Sequence, residues 1–526
     1  LRHEKPSLIS IDKPALVCQH DGVRPTWVSS ACLNPSIRCG GTLPMNALLR
    51  MLGTPRRCCD GLTRRETLAA GALTFLGGAF NLEGLLAAQD AGQAKPGKAK
   101  SVILLYLLGG AATQDMYDLK LGAPSGIKTE FAPIATSVPG IQVCEHLPQT
   151  ARWMHRTALI RSLNHKAGCH NCLPSYTGYE VTPPDQHPRE TDPPSMGSVC
   201  EFLNTRTGGD DLPAYVYMPN WLGWGQAFRR GGPYGGFLGK RYDAFTTECN
   251  PTADPGVKPV AGKPATVRGV PVLPHSALPP EITIDRLNRR TDLLKQIDDE
   301  YRRLDKSGET ARYSDLKQRA LGILGASNLA DAFNLSKEPP KVVERYGNTL
   351  FGNSALVARR LVERGVRFVN VTFDLYATAP GLLDYDAWDT HQKNFSILKE
   401  NKLPVFDQVY SALLQDLDAR GLLDETLVVV TSEMGRTPKV NANGGRDHWT
   451  YCYGSMMAGA GIKGGAVVGA SDATGAYVKD RPVSTTEICA TIYKLLGISP
   501  DFRVPDRLGR PHPVGMGAEP IRELLA

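Results

Sequence analysis

The sequence predicts an α/β fold: a doubly wound, mostly parallel sheet with helices on both faces. Three observations carry that prediction. Short runs rich in Val, Ile and Leu recur at Ser101 to Leu108, Thr157 to Leu163, Val366 to Phe373 and Leu427 to Val430. Such runs suit strands that are covered on both faces. Amphipathic stretches lie between them, at Ser354 to Gly365 and Pro404 to Arg420, the second with Val405, Val409, Leu413 and Leu417 on one helical face. Alternation of strand and helix is the mark of parallel crossovers. Finally, the apolar runs break into glycines and polar residues, and open α/β sheets place their ligands at that carboxyl edge.

The chain has 526 residues and a formal net charge of +7. No long Lys/Arg block is present, so nucleic acid is not expected as a partner. Residues 1–50 show neither helical nor strand period and are expected to be a non-native or disordered extension. A familiar layout begins at Met51: Arg64 and Arg65 follow Thr63, an apolar small-residue stretch runs from Leu68 to Leu86, and Ala87, Ala88 and Ala91 frame a cleavage site. Residues 51–90 therefore resemble a twin-arginine signal, although Thr67 stands where a large residue is usual. This implies the twin-arginine export machinery as a partner and a periplasmic or otherwise exported location. Residues 91–100 form a polar linker, and residues 101–526 form the α/β domain. No later stretch is long and apolar enough for a stable membrane span. Past the signal, Cys144, Cys169, Cys172, Cys200, Cys249, Cys452 and Cys489 are odd in number and irregular in spacing, so no disulfide framework follows.

The first strand run leads into Gly109-Gly110 and then Asp115, with Asp118 as a weaker copy. Glycines there let the backbone turn tightly over the sheet edge. Asp115 is either an edge ligand or the cap of a following turn. The Thr157 run leads into His165, Cys169, His170, Cys172 and Ser175. No second CxxC or HxxxH pair accompanies Cys169 and Cys172, which weakens a structural zinc reading. Leu173 occupies the position where haem attachment needs His. Ala214 to Met218 is a short strand, and Trp221, Trp224, Tyr234 and Phe237 follow among glycines as packing or as a substrate mouth. Residues 281–335 turn charged, with apolar residues at helical spacing, and are expected to form an α-helical insertion. The Val366 run precedes Asp389 and His391; the Leu427 run ends in Thr431-Ser432-Glu433, then Arg436, Arg446, Asp447 and His448. Ser484-Thr485-Thr486-Glu487 is a capping box that opens the last helix.

Asp115, Asp389, His391, Glu433, Asp447 and His448 thus gather beyond strand ends. Carboxylates and imidazoles without thiolates suit a divalent metal: Zn²⁺, Mn²⁺, Mg²⁺ or Ca²⁺. Such a site handles phosphate or sulfate esters, and Arg436 and Arg446 are expected to pair with the anion. The expected function is an exported, metal-dependent hydrolase of phosphate or sulfate esters, acting on an anionic ester such as a sulfated or phosphorylated glycan. The alternative is a binding or assembly protein that keeps the fold without the chemistry.

Three motifs, WDTHQKN from Trp388, LVVVTSEMGRTPKVNANGGRDHW from Leu427 and GAGIKGGAVVGASDATG from Gly459, resemble the DUF1501 family, as does LLGGAATQDMYD after the first strand. The resemblance covers about residues 101–496. It implies similarity to the alkaline phosphatase/sulfatase superfamily, a doubly wound fold with metal ligands at strand ends. By that resemblance Asp115 stands at the first-strand ligand position, Asp389 and His391 at an Asp/His pair, and His448 at a late His ligand. Glu433 replaces an Asp, and Met434 stands where its partner His would be, which puts a full two-metal set in doubt. The sulfatase nucleophile is a cysteine in a C-x-P-S-R context. Here Cys172-Leu173-Pro174-Ser175-Tyr176 matches in part, with Tyr176 replacing Arg. Cys172, Ser175 and a metal-activated water are the candidate nucleophiles, with His165 and His170 as acid or ligand.

Overall fold

Alternation within each strand decides which helix covers which face. The computed structural model describes residues 97–183, 185–203, 212–253, 266–274, 327–374 and 387–526. The segment expected to be an export signal and most of the expected helical insertion lie outside these residues. At the end of the insertion, Ser327–Phe333 is helical.

In chain order the elements that frame the site are β1 (Ser101–Leu107), β2 (Thr157–Asn164), α1 (Leu173–Thr177), α2 (Met196–Leu203), β3 (Tyr215–Met218) and β4 (Phe245–Thr246). There follow α3 (Leu350–Glu363), β5 (Phe368–Phe373), α4 (Leu403–Ala419) and β6 (Thr426–Thr431). Next come β7 (Gly435–Arg436), β8 (His448–Trp449), β9 (Tyr453–Gly459), β10 (Val467–Val468), β11 (Ala470–Ser471), β12 (Val478–Asp480), β13 (Val483–Ser484) and α5 (Thr485–Leu495). The nine-stranded sheet runs β10-β2-β9-β6-β1-β5-β3-β4, with β13 also on β2. Every pairing in it is parallel except those of β9, which runs against both β6 and β2. The carboxyl ends of β1, β2, β5 and β6 therefore share one edge.

In β1, Ile103 and Leu105 join Val369, Val371, Val428 and Val430 on one face, under Leu356 of α3 and Leu413 and Leu417 of α4. Val102, Leu104 and Tyr106 join Leu427 and Val429 on the other, against Val199 of α2 and Ile488 and Ile492 of α5. The register Leu104↔Val429 and Leu104↔Asn370 keeps these sets aligned. Each such side chain stabilises the fold by about 1.5–3 kcal/mol when fully buried. A slip of one residue would exchange the two faces, so the pattern itself specifies register.

The mostly parallel architecture expected from the sequence is the one observed. One boundary differs. The helix expected from Ser354 begins at Leu350, because the Thr349 side chain accepts the backbone N–H of Gly352 and caps it four residues earlier. The capping box is present: Ser484 Oγ accepts from Glu487 N at 3.2 Å and Glu487 Oε2 from Ser484 N at 2.9 Å. Among the described residues all seven cysteines are free thiols, and no helix is long and apolar enough to cross a membrane.

Candidate metal centre

Four loops leave the carboxyl edge and meet above it. The loop after β1 turns at Gly109, whose φ is +107° and whose N–H donates to Glu433 Oε1 at 2.8 Å. A Cβ at Gly109 would lie 2.7 Å from the backbone nitrogen of Asp389, so only glycine lets these two loops approach. The loop after β2 brings His170, the loop after β5 brings Asp389 and His391, and the loop after β6 brings Glu433, Asp447 and His448.

Asp389 is the hub. Its Oδ2 lies 3.1 Å from His170 Nε2. Its Oδ1 lies 3.0 Å from His448 Nε2 and 3.1 Å from His391 Nε2, and it also accepts from Arg436 Nη2. Side-chain ligand atoms of His170, Asp389 and His448 all fall within 4.8 Å of one another. His391 Nε2 borders the group, 2.8 Å from His448 Nε2. At that separation at least one of the two nitrogens must present a lone pair, because two N–H groups would repel.

An outer pair of carboxylates orients two of the rings. Glu433 Oε1 lies 3.3 Å from His170 Nδ1, and Asp447 Oδ1 lies 2.9 Å from His391 Nδ1. Each of these histidines thus turns one nitrogen to a carboxylate and the other to the hub. This is how ligating histidines are usually held, with the outer carboxylate fixing tautomer and ring direction.

The charges follow from these contacts. Burial works against the imidazolium of His170, but its hydrogen bonds to Asp389 and Glu433 outweigh burial and push its pKa up to about 9. Burial likewise opposes the charge on Asp389, yet the His170 and His448 hydrogen bonds and the Arg436 charge hold it well below the carboxylate range. Glu433 is fully buried and is also lowered, through His170. His448 is lowered, by burial first and then by the His170 charge, against the pull of Asp389.

The structure divides the sequence candidates. His170, Asp389, His391 and His448 converge, while Glu433 and Asp447 stand behind His170 and His391 rather than beside them. Asp115 is elsewhere: it is fully buried, accepts from Arg446 Nε at 2.7 Å and Nη2 at 2.9 Å, and takes Asn394 Nδ2 at 2.9 Å. Its oxygens serve this internal pair instead of the cluster. Asp118 is bound to Lys120 at 3.0 Å and to Ser471. The two arginines expected to grip an anion are buried and committed. Arg446 also donates to the carbonyls of Thr437, Pro438 and Ile127. Arg436 donates to Gly109, Gly110 and Arg446 carbonyls as well as Asp389.

Met434 is fully buried, as a side chain that fills space rather than a ligand. Cys172 sits at the start of α1 with its thiol 3.7 Å from the carbonyl oxygen of His170, and burial pushes that thiol well up. Ser175 donates to the carbonyl of Ser432 at 3.1 Å. His165 is buried against the carbonyl of Glu433 at 2.6 Å, and burial lowers its pKa. Sequence reasoning missed Asn394 as the companion of Asp115; its place in WDTHQKN, on the loop of Asp389, was the available signal.

The fold and this cluster define the class: an α/β protein whose imidazole and carboxylate groups meet at the carboxyl edge of a mostly parallel sheet. The chain belongs to the DUF1501 family, described as a protein of unknown function, which matches residues 99–525. No curated protein matches the sequence. Among solved structures, a sulfatase from a Pseudoalteromonas species is similar over 84% of this chain and 74% of its own, at 13% identity and a TM-score of 0.36. A phosphonate monoester hydrolase from Silicibacter pomeroyi is similar over 81% of this chain and 76% of its own, at 12% identity and a TM-score of 0.33. One from Agrobacterium radiobacter covers 80% and 78%, at 12% identity and a TM-score of 0.30.

Proposed function

We propose that the protein is an exported metal-dependent hydrolase of phosphate or sulfate esters. The observation that carries this reading is the convergence of His170, Asp389 and His448 within 4.8 Å, with His391 at their border. Its support is the carboxylate behind both His170 and His391. The donor set fits one ion, with His391 or solvent in the fourth place. Two or three imidazoles with one carboxylate favour Zn²⁺ over Mg²⁺ or Ca²⁺, which prefer all-oxygen shells. Among the described residues a second ion has no set of its own, since Asp115 is spent on Arg446 and Met434 offers no imidazole.

A divalent ion held by His170, Asp389 and His448 would supply Lewis-acid polarisation of an ester oxygen. The protein's own groups do the rest. Glu433 and Asp447 fix the imidazoles, Arg436 holds Asp389, and the buried Arg446–Asp115 pair holds the loop that carries Asp447 and His448. The side chain of His391 is 43% exposed, the most open of the cluster, so it is the group placed to exchange a proton with solvent or a departing oxygen. Export rests on Arg64, Arg65 and the apolar stretch after them. A specific observation favours a second reading, a binding protein without catalysis: both candidate arginines are buried on internal partners. Metal content of the mature chain, followed by a screen of aryl sulfates, aryl phosphates and phosphonate monoesters with the bound metal, decides between them. Stoichiometric metal with turnover supports the hydrolase; metal without turnover of any ester class supports the binding protein.

A further inference from the structure

The proposed chemistry leaves one buried cation unused. Arg230 lies on the loop after β3, which is parallel to β5 and ends at the same carboxyl edge, and its side chain is buried. A guanidinium stays charged, and a buried charge is costly unless an opposite charge meets it. Other buried arginines are met in this way: Arg359 and Arg360 by Glu338, Arg436 by Asp389, Arg446 by Asp115. Arg367, at the opposite edge, donates to the Leu496 carbonyl at the negative end of α5. Arg230 has only neutral hydrogen-bond partners among the described residues. Its Nε and Nη2 donate to Gln226 Oε1 at 3.0 and 2.7 Å. Its Nη1 donates to Gln186 Oε1 at 2.8 Å and to the His170 carbonyl at 3.4 Å.

These contacts build Arg230 onto the cluster. His170 has φ +55°, uncommon for a residue with a Cβ, and presents its ring to Asp389 and its carbonyl to Arg230. Gln186 ties the two loops together: its Nε2 donates to the Cys169 carbonyl at 3.3 Å, and its own carbonyl accepts from Gly231 N at 2.8 Å. The charge also reaches Glu433. Burial opposes ionisation of that carboxylate, His170 favours it, and Arg230 adds to the pull of His170. Phe228 covers a face of the guanidinium, with its ring centroid 5.1 Å from Arg230 Cζ. Four contacts serve five N–H groups, so one Nη2 hydrogen is unused, and the contact to His170 is long.

We infer that Arg230, framed by Gln186 and Gln226, grips a tetrahedral oxyanion at the edge of the His170–Asp389–His448 cluster. The oxyanion supplies the negative charge that the glutamine oxygens lack, and guanidinium–oxyanion contacts are strong because both partners are ionised. Glutamines hold the guanidinium in place without neutralising it, which an internal carboxylate would do. This separates Arg230 from Arg436 and Arg446, whose charges Asp389 and Asp115 already meet. A tetrahedral group has oxygens for Arg230 and for the cluster at once, more than a planar carboxylate offers. That the oxyanion is the sulfate or phosphate group of an ester under hydrolysis rests on the hydrolase reading; that Arg230 holds an oxyanion does not.

The experiment titrates zinc-loaded and metal-free protein with inorganic sulfate, inorganic phosphate and acetate by calorimetry, at low salt because screening weakens such contacts. The same titrations use Arg230→Gln, which removes the charge, and Gln226→Glu, which keeps the size of that side chain and gives Arg230 an internal carboxylate. Sulfate or phosphate is expected to bind the wild type more tightly than acetate does, and the tighter of the two names the ester. Both variants are expected to bind that anion at least about tenfold more weakly, the loss of a charge-assisted contact. Gln226→Glu should unfold no earlier than the wild type on heating, since it pairs a buried charge, so its weaker binding would not be a failure to fold. Equal affinity in wild type and Gln226→Glu, binding of neither anion, or acetate binding as tightly as the better of them overturns the inference. Zinc content is read on the same samples. No zinc in any of them overturns the hydrolase reading, while the titrations of metal-free protein still decide the role of Arg230.

Discussion

Replacing Glu433 by Gln tests the outer carboxylate behind His170 with little change in shape. In the metal-free protein His170 is raised from 6.5 to about 9, by Asp389 and Glu433 against burial. That rise corresponds to about 3 kcal/mol of preference for the charged ring. The sign is that of a raised pKa: the stabilisation is fully present below the unfolded value of 6.5 and is lost as pH climbs through about 9. Glu433→Gln removes one of the two carboxylates while burial persists. The His170 midpoint is then expected to fall towards or below 6.5, read from its ring resonances across a pH series. The stability gained below that pH shrinks accordingly. With metal present the same group acts differently, by orienting the ring, and losses of about 10–100-fold in affinity are usual for such partners. Competition with a chelator measures that loss. Metal affinity of the wild type should also rise with pH up to about 9, because the ion must displace the His170 proton. An unchanged midpoint together with unchanged metal affinity in Glu433→Gln would show that Glu433 neither raises nor orients His170.

Two further outcomes follow from the same contacts. Asp115→Asn leaves Arg446 buried without its charge partner, which costs about 3–5 kcal/mol for pairs of this kind; thermal or urea unfolding should show the loss, and folded variant should still hold metal. Loss of metal at unchanged stability would return Asp115 to the ligand set. The Cys172 thiol is buried and raised, so iodoacetamide at pH 8 should leave it unmodified in the native protein and label it after unfolding. Rapid native labelling of Cys172, located by peptide mass, would restore it as a nucleophile.

The strands were legible because their chemistry is local. Val428, Val429 and Val430 need apolar cover on both sides wherever they lie, and a covered strand in an α/β chain implies parallel neighbours. The edge was legible too: polar groups after Leu107, Asn164, Phe373 and Thr431 had to meet once those strands lay parallel. The roles were not legible. Whether Asp115 faces a cation or a guanidinium depends on Arg446, 331 residues further along the chain. Glu433 was read as a ligand because it ends a strand; the structure points it at Gly109 N and His170 Nδ1 instead. Arg436 and Arg446 looked like anion grips because arginine in a site loop usually is one. Only the fold shows that the carbonyls of Gly109, Gly110, Thr437 and Ile127 had already claimed them. His170 entered among several candidates in a Cys/His loop, and its distance to Asp389 singled it out.

The reading stands or falls on one metal ion held by His170, Asp389 and His448. Elemental analysis after dialysis, on the protein beside its His170→Ala/His448→Ala variant, decides whether that ion is held there. About one ion per native chain is expected, zinc when all are offered, and none in the variant. No metal in either protein after exposure to Zn²⁺, Mn²⁺, Mg²⁺ and Ca²⁺, or equal metal in both, would contradict it.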